Sequence, residues 1–262
     1  MKELIKKLCT SLEKEKRIKI LFAIENGSRA WRMDSKDSDY DVRFVFARPV
    51  GDYIRLKPLK DVIEARYDKN GNPCENDAVI DMSGFDVVKF AQMLVSSNPT
   101  AIEWLMSDMV YYGNQNKTFQ KFAMQNFNPK ALYYHYKSMC KNNYLKYLKS
   151  GDTVTHKKYL YAYRGSINAK WVVHKRTVPP IIFSDALKAM KNKIPESILK
   201  KVENIIELKA HGKEKDIIQN IVEMDNYIED FLKNVDEAPP ERVGKELNKL
   251  NEELRRIILN SK

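Results

Sequence analysis

The chain of 262 residues is long enough for one large domain or two small ones. Its three cysteines are widely spaced and form no Cys-x-x-Cys pair, so they indicate neither a disulfide framework nor a zinc site. The apolar runs are all shorter than the ~18 residues of a membrane span, and the amphipathic N-terminus carries acids. The composition therefore predicts a cytoplasmic protein with no membrane partner.

Strand-like and helical segments alternate over residues 1–112, which predicts an α+β domain. The expected helices in this part cover 4–17, 85–96 and a segment from 99 through 104. The expected strands cover 18–24, 41–47, 53–57, 62–67 and 78–82, with turn-forming residues at 68–73.

Strand signals fade after Gly113, and the rest of the chain is expected to be helical. The expected helices cover 117–125, 129–149, 155–173, 184–193, 195–209, 213–234 and 241–259. The change predicts a mixed-sheet domain over 1–112 followed by a helical domain over 113–262.

The net charge of +11 is concentrated in the middle of the chain. Residues 113–180 hold 13 basic residues and one acid, Asp152, whereas basic and acidic residues nearly balance before and after this segment. A polyanionic partner would explain the pattern, and a solvated helical surface explains it equally well.

Two carboxylates, Asp39 and Asp41, stand two residues apart where the second strand begins, so they are expected to point the same way. Two carboxylates together with triphosphate oxygens are the ligands that Mg²⁺ prefers, and Mn²⁺ is an alternative. Gly27 and Ser28 follow the first strand and are expected to open a short helix whose N–H groups and hydroxyl bind phosphate. The order of these features predicts a metal and nucleotide site.

Other interpretations of the acidic stretch are weaker. Asp37, Asp39 and Asp41 imitate the start of a calcium loop, but Val42 and Arg48 stand where such a loop needs Gly and Glu. For Asp34 and Asp37 themselves a turn role is expected, and a solvated acidic loop is a further alternative for the whole stretch. A solvated loop leaves unexplained the apolar strand that follows directly.

The stretch from Gly27-Ser28 to Asp39-Tyr40-Asp41 resembles the motif of the polymerase β-type nucleotidyltransferase superfamily. Further stretches are similar to the predicted nucleotidyltransferase family associated with RNA ligases and RNA repair: 81–89, 97–105, 157–164 and 179–183. The resemblance implies a polymerase β-like mixed-sheet catalytic domain, followed by a helical domain that closes over the triphosphate. It also implies a two-metal transfer of NMP from NTP.

The same resemblance implies a third metal-binding carboxylate on a later strand, and Asp81 has the expected position. Asp86 is the rival, but it stands three residues after Ser83 and before an apolar helical run, which resembles a capping box. The catalytic and metal-binding set is therefore Asp39, Asp41 and Asp81. The expected nucleotide contacts are Gly27, Ser28, Arg29, Lys158, Tyr161 and Arg164.

Residues 132–163 hold eight of the fourteen tyrosines, interleaved with lysines. This combination occurs in single-strand binding, and core packing is expected for about half of these tyrosines. The expected acceptor is an RNA end. The alternatives are AMPylation-type nucleotidylation of a protein or small molecule, and a non-catalytic RNA-binding protein.

Overall fold

The computed structural model describes residues 1–36, 38–149, 151, 153–212, 216–234, 238–242 and 246–261. The helices are α1 Lys2–Lys16, α2 Gly27–Ala30, α3 Val87–Val95, α4 Pro99–Met106, α5 Lys117–Asn126, α6 Pro129–Asn143, α7 His156–Lys175, α8 Phe183–Ala189, α9 Glu196–Ala210, α10 Val222–Lys233 and α11 Leu247–Leu259. The strands are β1 Lys19–Glu25, β2 Tyr40–Ala47, β3 Val62–Tyr67, β4 Ile80–Asp86, β5 Val110–Gly113, β6 Val154–Thr155 and β7 Ile217–Ile218.

The chain divides into two compact units. The first unit comprises Met1–Ala30, Ser38–Phe127 and Gly244–Lys262, and the second comprises Trp31–Asp37 and Asn128–Val243. No helix in the described part of the chain is both long and apolar enough to cross a membrane.

The first unit is built on a five-stranded sheet in the order β3-β4-β2-β1-β5. β2 and β4 run parallel, whereas the other neighbouring strands run antiparallel. The mixed sheet and the helices that accompany it confirm the predicted α+β fold class. β2 is the central strand, so both of its edges are paired.

Helices cover both faces of this sheet because β1 and β2 are apolar on both sides. The apolar side of α1, including Leu8 and Leu12, packs into one core with Phe44 of β2. On the opposite face, Phe85 stacks on Trp104 of α4 with ring centroids 4.6 Å apart. Burial on both faces makes the sheet a rigid support for the residues at the ends of its strands.

The first unit extends past the boundary predicted near residue 112. α5 packs against α3 and α4, and α11 packs against α3 and α5. Phe119 of α5 contacts Phe90 of α3 with ring centroids 6.0 Å apart. The charge pattern changes near residue 112, but the unit ends later because the apolar side of α5 covers α3.

The second unit is helical, with α6 packed along α7. The two helices approach closely at Gly165, where a Cβ atom would lie 2.7 Å from the backbone nitrogen of Cys140. Two buried tyrosines of α7 bind α10 through their hydroxyls: Tyr159 donates to Asp225 at 2.8 Å, and Tyr163 donates to the carbonyl of Met224 at 2.9 Å. Much of the tyrosine-rich segment is therefore core.

Several predicted elements are wrong in detail. Residues 53–57 were predicted to form a strand, but Val50–Tyr53 is a 3₁₀-helix and Ile54 is 79% exposed, because no sheet edge pairs with this segment. β4 runs two to four residues later than predicted, so Asp81 lies near its beginning. The 129–149 helix is α-helical only to Asn143 and continues as a π-helix over Tyr144–Lys149.

The predicted helix over 213–234 is also wrong in its first half. Residues 213–215 lie outside the described residues, and Ile217–Ile218 forms β7, which pairs with β6. α10 begins only at Val222. Asp37 likewise lies outside the described residues, so its predicted turn role stays a prediction.

Candidate active site

Asp41 and Asp81 come together because β2 and β4 are parallel and in register. The two residues are Cα partners in this ladder. Side chains of paired residues project from the same face of a sheet. Each side chain is about one-third exposed, at 33% for Asp41 and 34% for Asp81. The pairing therefore places two accessible carboxylates side by side near the N-terminal ends of β2 and β4.

Two arginines lie against this pair. Arg43 Nη2 contacts Asp41 Oδ1 at 3.2 Å and Asp81 Oδ2 at 2.9 Å. Arg66 Nε lies 3.6 Å from Asp81 Oδ1, and its side chain is 62% exposed. The two carboxylates are thus bridged by one guanidinium, with a second cation at the rim.

Gly27 lies directly beside Asp41. Gly27 has a φ of +63°, and a Cβ atom there would lie 2.0 Å from Asp41 Oδ2. Only glycine combines this backbone conformation with room for the carboxylate. Gly27 opens α2, which confirms the short helix predicted after the first strand, and the next residue, Ser28, is buried. The segment predicted to bind phosphate, which begins at Gly27, therefore lies next to Asp41.

Arg29 organises the segment that leads into β2. Its Nη2 donates to the carbonyl of Ser38 at 2.5 Å, and its Nε donates to the carbonyl of Asp39 at 3.2 Å. Its guanidinium also lies 4.0 Å from the centre of the Tyr40 ring. Arg29 therefore binds the backbone just before the functional strand, and its predicted nucleotide contact stays a prediction.

Glu25, at the end of β1, is a component that the sequence analysis missed. Its side chain is 0% exposed. Oε1 accepts the backbone N–H of Asp41 at 2.8 Å, and Oε2 accepts the hydroxyl of Tyr111. Burial raises the pKa of Glu25 to about 7, although both hydrogen bonds lower it. The one available signal was an acid at the end of an apolar run, immediately before Asn26 and Gly27.

Asp39 does not join Asp41 and Asp81. It is exposed and precedes the first paired residue of β2, Tyr40, so the sheet does not enforce its alignment with Asp41. Among the residues that the structure describes, no three His, Cys, Asp or Glu side chains form a group that could hold a metal ion.

The donor set nevertheless suits a magnesium–nucleotide complex. Mg²⁺ is commonly bound by one or two carboxylates, with substrate phosphates and water completing its shell. Asp41 and Asp81 supply two such carboxylates, and the missing Cβ of Gly27 makes room for the Asp41 carboxylate against the α2 backbone.

Asp86 is structural, as predicted. It lies at the other end of β4, where its Cα partner is Phe46. Its carboxylate caps α3 by accepting the N–H of Val88 at 2.8 Å, and it accepts the hydroxyl of Tyr53 at 2.9 Å. The predicted capping box was wrong, because Ser83 lies inside β4 and Asp86 is itself the N-cap.

The three nucleotide contacts predicted in α7 belong to the second unit. The Lys158 ammonium donates to the carbonyl of Thr153. The Arg164 guanidinium, which is buried, lies 3.8 Å from the centre of the Trp31 ring, and Tyr161 contacts the same ring edge-on at 5.7 Å. Tyr161 and Arg164 therefore share Trp31, a residue of the segment between α2 and β2.

Comparison with known proteins identifies the family and the fold. The model of RlaP, the RNA repair pathway DNA polymerase beta family, matches residues 1–256. The uncharacterized protein YcgL of Bacillus subtilis (strain 168) is 33% identical over 253 residues, which are 95% of this chain and 92% of YcgL.

Among solved structures, the spectinomycin adenyltransferase AAD(9) of Enterococcus faecialis, with ATP and spectinomycin, has the same fold. It is 12% identical, and the match has a TM-score of 0.50 and covers 88% of this chain and 98% of that chain. Its likeness confirms the nucleotidyltransferase fold that the motif predicted. The chain belongs to the RNA repair pathway DNA polymerase beta family.

Proposed function

We propose that this protein transfers the nucleoside monophosphate of an NTP to an acceptor hydroxyl, with release of pyrophosphate, in a reaction that requires Mg²⁺ or Mn²⁺. One observation carries the proposal: Asp41 and Asp81 are in register near the N-terminal ends of β2 and β4, with Gly27 against Asp41. Membership in a nucleotidyltransferase family supports the reaction class.

Asp41 and Asp81 are the proposed metal ligands, and Asp39 is a proposed third ligand from the segment before β2. The divalent cation, when bound, supplies positive charge that stabilises the phosphoryl oxygens. Asp81 is also the proposed acceptor of the proton of the acceptor hydroxyl; its accessible carboxylate beside Asp41 supports this role. No covalent enzyme intermediate is needed.

Gly27 and Ser28 are the proposed phosphate contacts, because Gly27 lies directly against the proposed metal ligand Asp41. Arg29 is a proposed contact from the same segment. Lys158, Tyr161 and Arg164 of the second unit remain proposed nucleotide contacts.

The reaction is tested with each α-³²P-labelled NTP, Mg²⁺ or Mn²⁺, and RNA, DNA or protein acceptors. Asp41→Asn should lower transfer by roughly 100-fold or more, because even groups that only support metal ligands cost about 10–100-fold when removed. Asp61→Asn is the matched control, since Asp61 is 57% exposed and pairs with Lys89 on the surface. Near wild-type turnover of Asp41→Asn in Mg²⁺ refutes the metal assignment.

The proposed acceptor is an RNA end. The family is described by its RNA repair pathway, and the basic excess of the chain lies in 113–180. One side of α6 carries Tyr134, which is 43% exposed, together with the exposed lysines Lys130 and Lys141. An exposed tyrosine among lysines can stack on a base while the lysines pair with phosphates.

This acceptor is tested by titrating a fluorescent single-stranded oligonucleotide at several salt concentrations. The log–log slope should reach roughly −2 or steeper, since each neutralised phosphate contributes about −0.7. Reversing the charge of three exposed lysines of the basic segment by substitution with glutamate should flatten the slope. The three residues are Lys130, Lys141 and Lys146. The control reverses three exposed lysines outside that segment: Lys188, Lys191 and Lys193. A flat wild-type slope removes the support for RNA.

A second candidate acceptor is a small hydroxyl compound. The observation that favours it is the fold shared with AAD(9), a spectinomycin adenyltransferase whose structure contains ATP and spectinomycin. This alternative predicts a shallow salt slope and nucleotide transfer without RNA. A steep slope with no transfer from any NTP instead indicates a non-catalytic RNA-binding protein.

A further inference from the structure

Arg43 occupies an unusual position for a cation next to a proposed metal site. It follows Asp41 by two residues on β2, and its side chain is only 17% exposed. Besides its two carboxylate contacts, Nη1 donates to the carbonyl of Asp81 at 2.9 Å and to that of Val42 at 3.1 Å. The guanidinium is therefore fixed by four acceptors rather than extended into solvent.

Electrostatics explain why a fixed cation is needed there. Asp41 and Asp81 are directly opposite each other across the β2–β4 ladder, and like charges in that relation repel. A guanidinium presents several N–H groups in one plane and can bind both carboxylates at once, which an ammonium does less well. Arg66 reaches only Asp81, at 3.6 Å, and is mostly exposed.

We propose that Arg43 is a resident counter-cation, which holds Asp41 and Asp81 together in the metal-free protein and competes with the divalent cation for their oxygens. This inference rests on the proposed function, because it assumes that these two carboxylates bind metal. Arg43 is then a positioning residue, since it acts through Asp41 and Asp81. In the absence of nucleotide, the protein should bind divalent cations more weakly than a site with two free carboxylates would, because Arg43 competes for the carboxylate oxygens.

The test measures Mn²⁺ binding to the full chain without nucleotide, by the electron paramagnetic resonance signal of free Mn²⁺. Arg43→Met should bind Mn²⁺ about tenfold or more tightly than wild type, because two charge-assisted hydrogen bonds no longer compete. Arg43→Lys should be intermediate, since it keeps the charge but not the planar contacts. Arg66→Met is the matched control and should stay near wild type.

Thermal unfolding gives a second readout. In EDTA, Arg43→Met should melt below wild type because the two facing carboxylates lose the guanidinium that bridges them. Mn²⁺ should raise its melting temperature more than it raises that of wild type. If Arg43→Met does not fold, the same two measurements, Mn²⁺ binding and the rise in melting temperature with Mn²⁺, are compared between Arg43→Lys and wild type.

The outcomes separate the two ideas. Mn²⁺ binding by wild type with equal or weaker binding by Arg43→Met and Arg43→Lys overturns the role of Arg43 and leaves the metal site standing. Absence of Mn²⁺ binding in wild type and in every variant overturns the metal site as well. Tighter binding by the Arg43 variants that disappears when Asp41→Asn is added supports both.

Discussion

Glu25→Gln tests whether the buried carboxylate behind Asp41 carries an electrostatic cost in the folded protein. Glu25 is 0% exposed and accepts one backbone N–H and one tyrosine hydroxyl. Burial is the largest cause of the raised pKa of this carboxyl, which moves from an ordinary value of 4.5 to about 7. Glutamine keeps the shape and one acceptor oxygen but cannot ionise.

The sign of the effect follows from proton binding. Between the two pKa values the folded protein holds a proton on Glu25 that the unfolded chain releases, so wild-type stability falls as pH rises through this window. The contribution of the protonated Glu25 carboxyl to stability is complete below pH 4.5 and is lost as pH rises through about 7. The interval between these values corresponds to roughly 3 kcal/mol. Glu25→Gln lacks this dependence.

The assay is urea unfolding of wild type and Glu25→Gln in EDTA, between about pH 5 and pH 8. As pH rises, the free energy of unfolding of wild type should fall relative to that of Glu25→Gln. Glu13→Gln is the matched control, because Glu13 also accepts one backbone N–H, from Ile20, and one tyrosine hydroxyl, from Tyr112, but is only half-buried. A difference between Glu25→Gln and wild type that stays constant across this range refutes the reasoning.

Two further predictions use the packing of single residues. Gly27→Ala should abolish nucleotide transfer and lower stability by about 1–2 kcal/mol, since its Cβ would displace the Asp41 carboxylate and its φ is left-handed. Gly51→Ala, whose Cβ would meet no atom of the described residues within 4 Å, should leave both turnover and melting temperature unchanged. Burial raises the pKa of Cys9 and Cys140 to about 12, so a thiol reagent should label only Cys74 rapidly in the native protein. A second fast-reacting thiol before unfolding would contradict this packing.

Local patterns in the sequence were sufficient to predict those strands and helices whose bounds depend only on their own residues and the adjoining turns. β3 has the predicted bounds, 62–67, because an alternating run there is followed directly by strong turn chemistry. β2 begins one residue earlier than predicted. The short helix at Gly27 also follows from local chemistry, since Asn26 and Gly27 interrupt the apolar run of β1.

Features that depend on distant residues could not be predicted in the same way. The burial of Glu25 requires Tyr111, which is 86 positions away, and it is visible only once β1 lies between β2 and β5. The segment 53–57 alternates apolar and basic residues like a strand, yet no edge of the sheet pairs with it. Alternation indicates a possible strand, whereas pairing decides whether one forms.

Asp41 is the point at which these distant parts of the chain meet, and the reason is the central position of β2. On one side, Glu25 at the end of β1 binds the backbone N–H of Asp41; on the other, β4 places Asp81 opposite it. Asp39 precedes both ladders and receives neither neighbour. The spacing of Asp39 and Asp41 alone therefore does not determine which carboxylates come together. Strand pairing does, and it selects Asp41 with Asp81, which share a single guanidinium from Arg43.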